Sequence, residues 1–117
     1  MIDPFPRDWE LMEFFGCEPS LLDPNVPWVY NLLRYESENG GDRVVCDIEP
    51  ASEIVEIKWW QGGILRLELG LHAVKSLTID ESSGAASLIL ELRNELASPV
   101  TFQVRPHVAA SFGTAAF

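Results

Sequence analysis

The side chains able to do chemistry in this sequence are its carboxylates, two histidines and two cysteines, and their spacing favours binding over catalysis. His72 and His107 stand apart from each other and from Cys17 and Cys46, so no metal-ligand spacing is present. A Cys–His nucleophile pair would have to be assembled by tertiary contact. Phosphate-cradling glycine loops, the nucleophile elbow and the HExxH pattern are absent. Gly62-Gly63 has no Lys or Ser/Thr behind it to complete a cradle, and reads as a hairpin turn. No metal or other cofactor is implied.

Carboxylates need only to come in pairs. Asp47 and Glu49 share one side of an alternating segment, and Glu53 and Glu56 follow. Two such groups could act on a glycoside or hold calcium. A calcium loop, however, wants acids or amides at alternate positions around a glycine, which no stretch offers. A solvated outer face is the simpler expectation.

The distribution of charge says more. Residues 1–56 hold thirteen acids against three bases, whereas residues 57–117 hold five of each. Such a surface repels nucleic acid and anionic lipid, and it draws in basic proteins at raised on-rates. It serves either solubility alone or an acidic docking face for a cationic partner. On the second reading the contact residues are Glu36, Glu38, Asp42, Asp47, Glu49, Glu53 and Glu56, with Trp60 as anchor. Trp59 and Trp60 are neighbours in an extended segment and should point to opposite faces, one inward and one outward. An exposed tryptophan beside acids suits an interface. The alternative is that both are buried where the segment bends.

Those residues need elements to position them. Pro6 to Phe15 reads as a short amphipathic helix that Gly16 stops, with Leu11, Phe14 and Phe15 on one face and Trp9 and Met12 beside them. Glu18 to Pro27 is rich in turns. From there the period becomes that of strands: Trp28 to Glu36, a hairpin at Glu38 to Asp42, then Arg43 to Glu49 with Val44, Cys46 and Ile48 on one face. Ile54 to Trp60 follows. In Ile64 to Leu71, Leu65, Leu67, Leu69 and Leu71 are expected on one face. Val74 to Asp80, a turn at Glu81 to Gly84, Ser87 to Arg93, a break at Ser98-Pro99, Val100 to Arg105 and an edge strand within His107 to Phe112 complete the pass. The fold class is α+β, mainly β: one N-terminal helix packed on an antiparallel sheet or sandwich of about six to eight strands.

With 117 residues and an apolar fraction of 47%, residues 1–117 form one domain with its own core. Cys17 and Cys46 read as free buried thiols or as one disulfide. The N-terminus lacks a basic stretch followed by an apolar one, and no apolar run approaches the roughly 18 residues of a membrane helix. A soluble cytoplasmic protein is the expectation.

The stretch from Trp9 to Asp80 carries a further pattern. A tryptophan and short helix end in Phe15-Gly16, then come Pro19-Ser20-Leu21 and Asp23. A strand, a polar hairpin and the strand Val44 to Ile48 follow, then Lys58-Trp59, Ile64 to Leu71, and Val74-Lys75-Ser76-Leu77. This resembles the Immunity protein 50 family of bacterial polymorphic toxin systems. The resemblance implies a cytoplasmic antidote that binds and neutralises one cognate toxin, with no catalytic residues and no cofactor. The toxin partner would be basic, with neither nucleic acid nor membrane as a partner, and the antidote a monomer or weak homodimer. Two other readings stand beside it. One is a self-associating structural domain pairing through the uncharged run Ala109 to Phe117. The other is a small ligand-binding or hydrolase domain using Asp47 and Glu49 in a cleft.

Overall fold

Leu11, Phe14 and Phe15 are all buried along one face of helix α1 (Asp8–Phe15), as their spacing predicts. The computed structural model describes residues 1–82, 84–94 and 99–112. The helix starts two residues after Pro6, where the Glu10 carboxylate accepts the Arg7 backbone N–H at 3.0 Å. It stops at Gly16, whose φ of 72° is a left-handed conformation that favours glycine.

Five strands form one antiparallel sheet in chain order: β1 (Ser20–Leu21), β2 (Leu33–Asn39), β3 (Asp42–Glu49), β4 (Ile54–Gln61) and β5 (Ile64–Leu71). Four form a second: β6 (Val74–Ser82), β7 (Ala85–Leu92), β8 (Val100–Arg105) and β9 (Ala109–Phe112). The described residues therefore hold nine strands, against the six to eight expected; the two-residue β1 is too short to leave an alternating trace. Ser83, Ser98 and residues 113–117, which fall in the predicted turn, break and uncharged C-terminal run, lie outside the described residues.

The strand expected from Trp28 begins only at Leu33. Trp28–Tyr30 is instead a turn of 3-10 helix behind Pro27. Asn31 is the reason the loop takes this path: it is buried, and its side-chain amide donates to the carbonyls of Asp23 at 2.6 Å and Val26 at 3.0 Å. Its side-chain oxygen accepts the N–H groups of Asp23 and Leu32. One asparagine thus satisfies four backbone groups of an irregular segment, which sequence periodicity does not reveal.

Tight two-residue turns join β2 to β3 and β4 to β5. Gly62 and Gly63 sit at φ 57° and 79° between β4 and β5, the pair of positive values that a two-residue hairpin of the favoured twist demands. The two sheets and α1 share a single core: Leu33, Cys46, Ile48 and Ile57 from the first, Leu77, Leu88, Leu90 and Phe102 from the second, and Leu11 and Phe14 from the helix. Phe15 stacks on Tyr35 at 4.7 Å between ring centroids. Arg105 on β8 donates to the Phe14 carbonyl at 2.9 Å, placing a cation at the negative end of α1. The helix is thereby tied to both sheets. Both cysteines are free thiols; Cys46 is buried, while Cys17 is only half-buried and donates to the Glu36 carbonyl at 3.2 Å.

Tyr35 is fully buried, and its hydroxyl finds no hydrogen-bond partner among the described residues. Burial pushes its ionisation well above the ordinary range for a phenol, so the group stays neutral. An unpaired buried hydroxyl costs roughly 1–3 kcal/mol, which removing the oxygen should relieve. Tyr35→Phe is expected to raise unfolding stability by about 1 kcal/mol in urea titrations. A loss of similar size would show that the hydroxyl is bonded after all.

Candidate functional site

Register decides which side chains share the outer face of the five-stranded sheet. Pairing lays them out in transverse rows: Glu38 opposite Arg43, with Trp60 and Leu65 continuing across β4 and β5. Glu36, Val45, Lys58 and Glu68 make the next row. Arg34, Asp47 and Glu56 make the third. Around the middle of these rows the surface dips into a depression of about 130 Å3, floored by Val45 and walled by charged groups and Trp60.

Leu65 belongs here against expectation. A bulge between Trp59 and Trp60 lets Leu67 face Trp59 while Leu65 faces Trp60, so Arg66 is the extra residue on β5. A one-residue slip turns every later side chain over. Leu67, Leu69 and Leu71 stay on the core side, whereas Leu65 turns outward and is 45% exposed. The two tryptophans divide as adjacent strand residues should. Trp59 packs against the core and donates its indole N–H to Asp42 at 2.9 Å. Trp60 lies outward and half-buried, with the Arg43 guanidinium 4.9 Å above its ring. That cation–π contact fixes the ring without hiding it.

The electrostatics of the face are mixed. Arg34 grips Asp47 in a two-pronged pair at 2.7 and 2.8 Å, which raises the already high guanidinium pKa further. Arg43 reaches Glu36 at 3.4 Å and Glu38 at 3.9 Å, and Lys58 meets Glu68 at 3.9 Å. Half-exposed pairs of this kind contribute about 0–1 kcal/mol each to folding, so their value lies in where they point charge. Six carboxylates (Glu36, Glu38, Asp47, Glu49, Glu56 and Glu68) share the face with four cations (Arg34, Arg43, Lys58 and Arg66). The remaining acids of the first half belong to the N-terminal segment, α1, the loop before β2, the opposite side of β3 (Asp42) and the β3–β4 turn.

Of the eight residues singled out from sequence, Glu36, Glu38, Asp47, Glu49, Glu56 and Trp60 come together on this face. Asp42 and Glu53 do not. Asp42 holds the Trp59 indole on the opposite side of β3. Glu53 sits in the β3–β4 turn at φ 60°, where its carboxylate is engaged by Arg93 and accepts the Met1 amino group at 3.1 Å. Its backbone carbonyl also takes the Val74 N–H at 3.0 Å, so this residue links both sheets. Sequence reasoning missed Arg34, Lys58 and Leu65 as members of the face; alternation with Glu36 and Trp60 could have placed the first two, but nothing local announces the bulge. Asp47 is clamped by Arg34, which suits recognition better than proton transfer.

The Arg93 guanidinium holds the Glu53 carboxyl at a pKa of about 2, below its ordinary 4.5. A carboxyl with a depressed folded-state pKa stabilises the fold above its unfolded value and loses that contribution as pH falls toward the folded one. The Glu53 contribution should therefore be complete above pH 4.5 and vanish on the way down to about 2. Chemical-denaturation midpoints of E53Q and the unaltered protein are expected to differ near neutrality and to converge near pH 2. A gap that does not change across that range would contradict the linkage.

Nine strands in two antiparallel sheets thus leave one charged, tryptophan-bearing sheet face open to solvent. No family model matches the chain, and no curated protein matches it. The fold is similar to that of a chain in the contact-dependent growth inhibition toxin–immunity protein complex from Klebsiella pneumoniae 342, with a TM-score of 0.78. The match covers 92% of this chain and 93% of that one at 16% sequence identity, a likeness of fold.

Proposed function

We propose that this chain is the antidote to a protein toxin, and that it binds the toxin with the outer face of its five-stranded sheet. The observation that carries the reading is that face: Trp60 held under Arg43 beside Leu65, at one end of rows of fixed charges. The fold shared with a chain of a toxin–immunity protein complex supports it. The toxin that suits this chain is basic. Acids in excess over the whole molecule steer it inward, and the charge rows then select among cationic surfaces. Neutralisation is by covering rather than by chemistry, so the antidote needs no catalytic residue and no cofactor. It acts in the cytoplasm, on the protein toxin rather than on nucleic acid or membrane.

Co-expression with the product of the adjacent reading frame tests this. The expected result is a complex that co-purifies and weakens as salt rises, with growth rescued. Two proteins that never associate at low salt would overturn the proposal.

A further inference from the structure

Four strands stand at the edges of the two sheets, and three of them are blunted. The two-residue β1 and the four-residue β9 are short. The β6 edge is covered by the N-terminal segment: the Asp3 N–H donates to the Lys75 carbonyl at 2.9 Å, and the Leu77 N–H to the Pro4 carbonyl at 3.0 Å. Strand β5 is eight residues long, bends only at its bulge at Arg66, runs regularly from Leu67 to Leu71 and, among the described residues, has a neighbour on one side only. An edge of that length is a template for a further strand.

Charges on an edge usually protect it by repelling whatever approaches. Here their order does the reverse. Arg66 and Glu68 flank Leu67, so an antiparallel copy centred on Leu67 would set Arg66 opposite the partner's Glu68, and Glu68 opposite the partner's Arg66. A two-fold axis makes each contact occur twice. Arg34, Arg43, Arg93 and Arg105 each meet a carboxylate within 4 Å, whereas Arg66, like Arg7, meets none among the described residues. Glu68 already has Lys58 on its inner side at 3.9 Å, and the partner's Arg66 would complete a cation on either side of it.

We propose that β5 is a self-pairing edge through which two copies join about Leu67 into one continuous sheet. The uncharged C-terminal run is not needed for this. A single strand pair buries less than the roughly 1,200 Å2 of a standard interface, so the dimer is weak and concentration-dependent.

Sedimentation of the chain alone at low salt tests the proposal without reference to any toxin. The mass is expected to rise from 13.1 kDa toward twice that with concentration. R66E and E68R each turn two attractive contacts into two repulsive ones, and should weaken self-association at least about tenfold. An equimolar mixture of R66E and E68R should associate again, because the acidic strand of one meets the basic strand of the other. The R66E/E68R double variant should also recover. Circular dichroism checks that each variant is folded. A wild type that stays monomeric, single reversals that change nothing, or a mixture that does not associate would each overturn the proposal.

Discussion

Trp60→Ala is expected to weaken toxin binding by about 100-fold while leaving the protein folded. Removing an aromatic anchor from an interface commonly costs 2 kcal/mol or more, and about 1.4 kcal/mol corresponds to each tenfold in affinity. Trp60 has the attributes of such an anchor: it is half-buried, oriented by Arg43 at 4.9 Å, and set opposite the exposed Leu65. Little else depends on it, because the core-facing member of the pair is Trp59. Isothermal titration of the purified variant against toxin measures the first quantity, and urea unfolding the second. Trp60→Phe should recover part of the loss, since a ring remains for the cation to cover. An unchanged affinity for Trp60→Ala would remove Trp60 from the interface.

Phe102→Ala should cost about 4 kcal/mol of folding stability, the usual price of emptying a fully buried phenylalanine site. Phe102 is 0% exposed and lies in the middle of the second sheet, paired with Leu88 on β7 and Ala110 on β9. Domains of this size are stable by roughly 5–15 kcal/mol, so the loss is a large part of the whole. Phe112, at 51% exposure, is the internal control, and its alanine variant should change stability by less than about 0.5 kcal/mol. Equal effects at the two positions in urea titrations would contradict the placement of the core.

Much of this architecture is legible from alternation. Val44, Cys46 and Ile48 point inward and Arg43, Asp47 and Glu49 outward, as their period of two requires. Leu88, Leu90 and Phe102 follow the same rule, and the helix shows its apolar stripe. What periodicity could not supply is anything that interrupts a period. The bulge at Arg66 turns Leu65 over through a backbone irregularity that its own residue types do not signal. Trp28 to Asn31 leaves the strand because Asn31 is satisfied by the loop, a tertiary arrangement. Local pattern does not distinguish one sheet from a sandwich, since it does not say where the chain changes sheets; the chain does so at His72-Ala73. For the candidate face, the acids could be counted in sequence, but which were free to face a partner could not. Asp42 and Glu53 look like their neighbours until the Trp59 indole and the Arg93 guanidinium are seen to occupy them.

On the proposed reading one face, and not acidity at large, holds the toxin. A triple charge reversal at Glu36, Asp47 and Glu56 on that face can be set against a matched reversal of the exposed acids Asp3, Glu13 and Glu18 outside it. Toxin affinity, measured for both at the same salt concentration, separates the two ideas. The expected loss is at least about 100-fold for the face variant and about tenfold or less, mostly in on-rate, for the control. Equal losses in the two variants would contradict it, and would leave the acids as a diffuse field with no defined site.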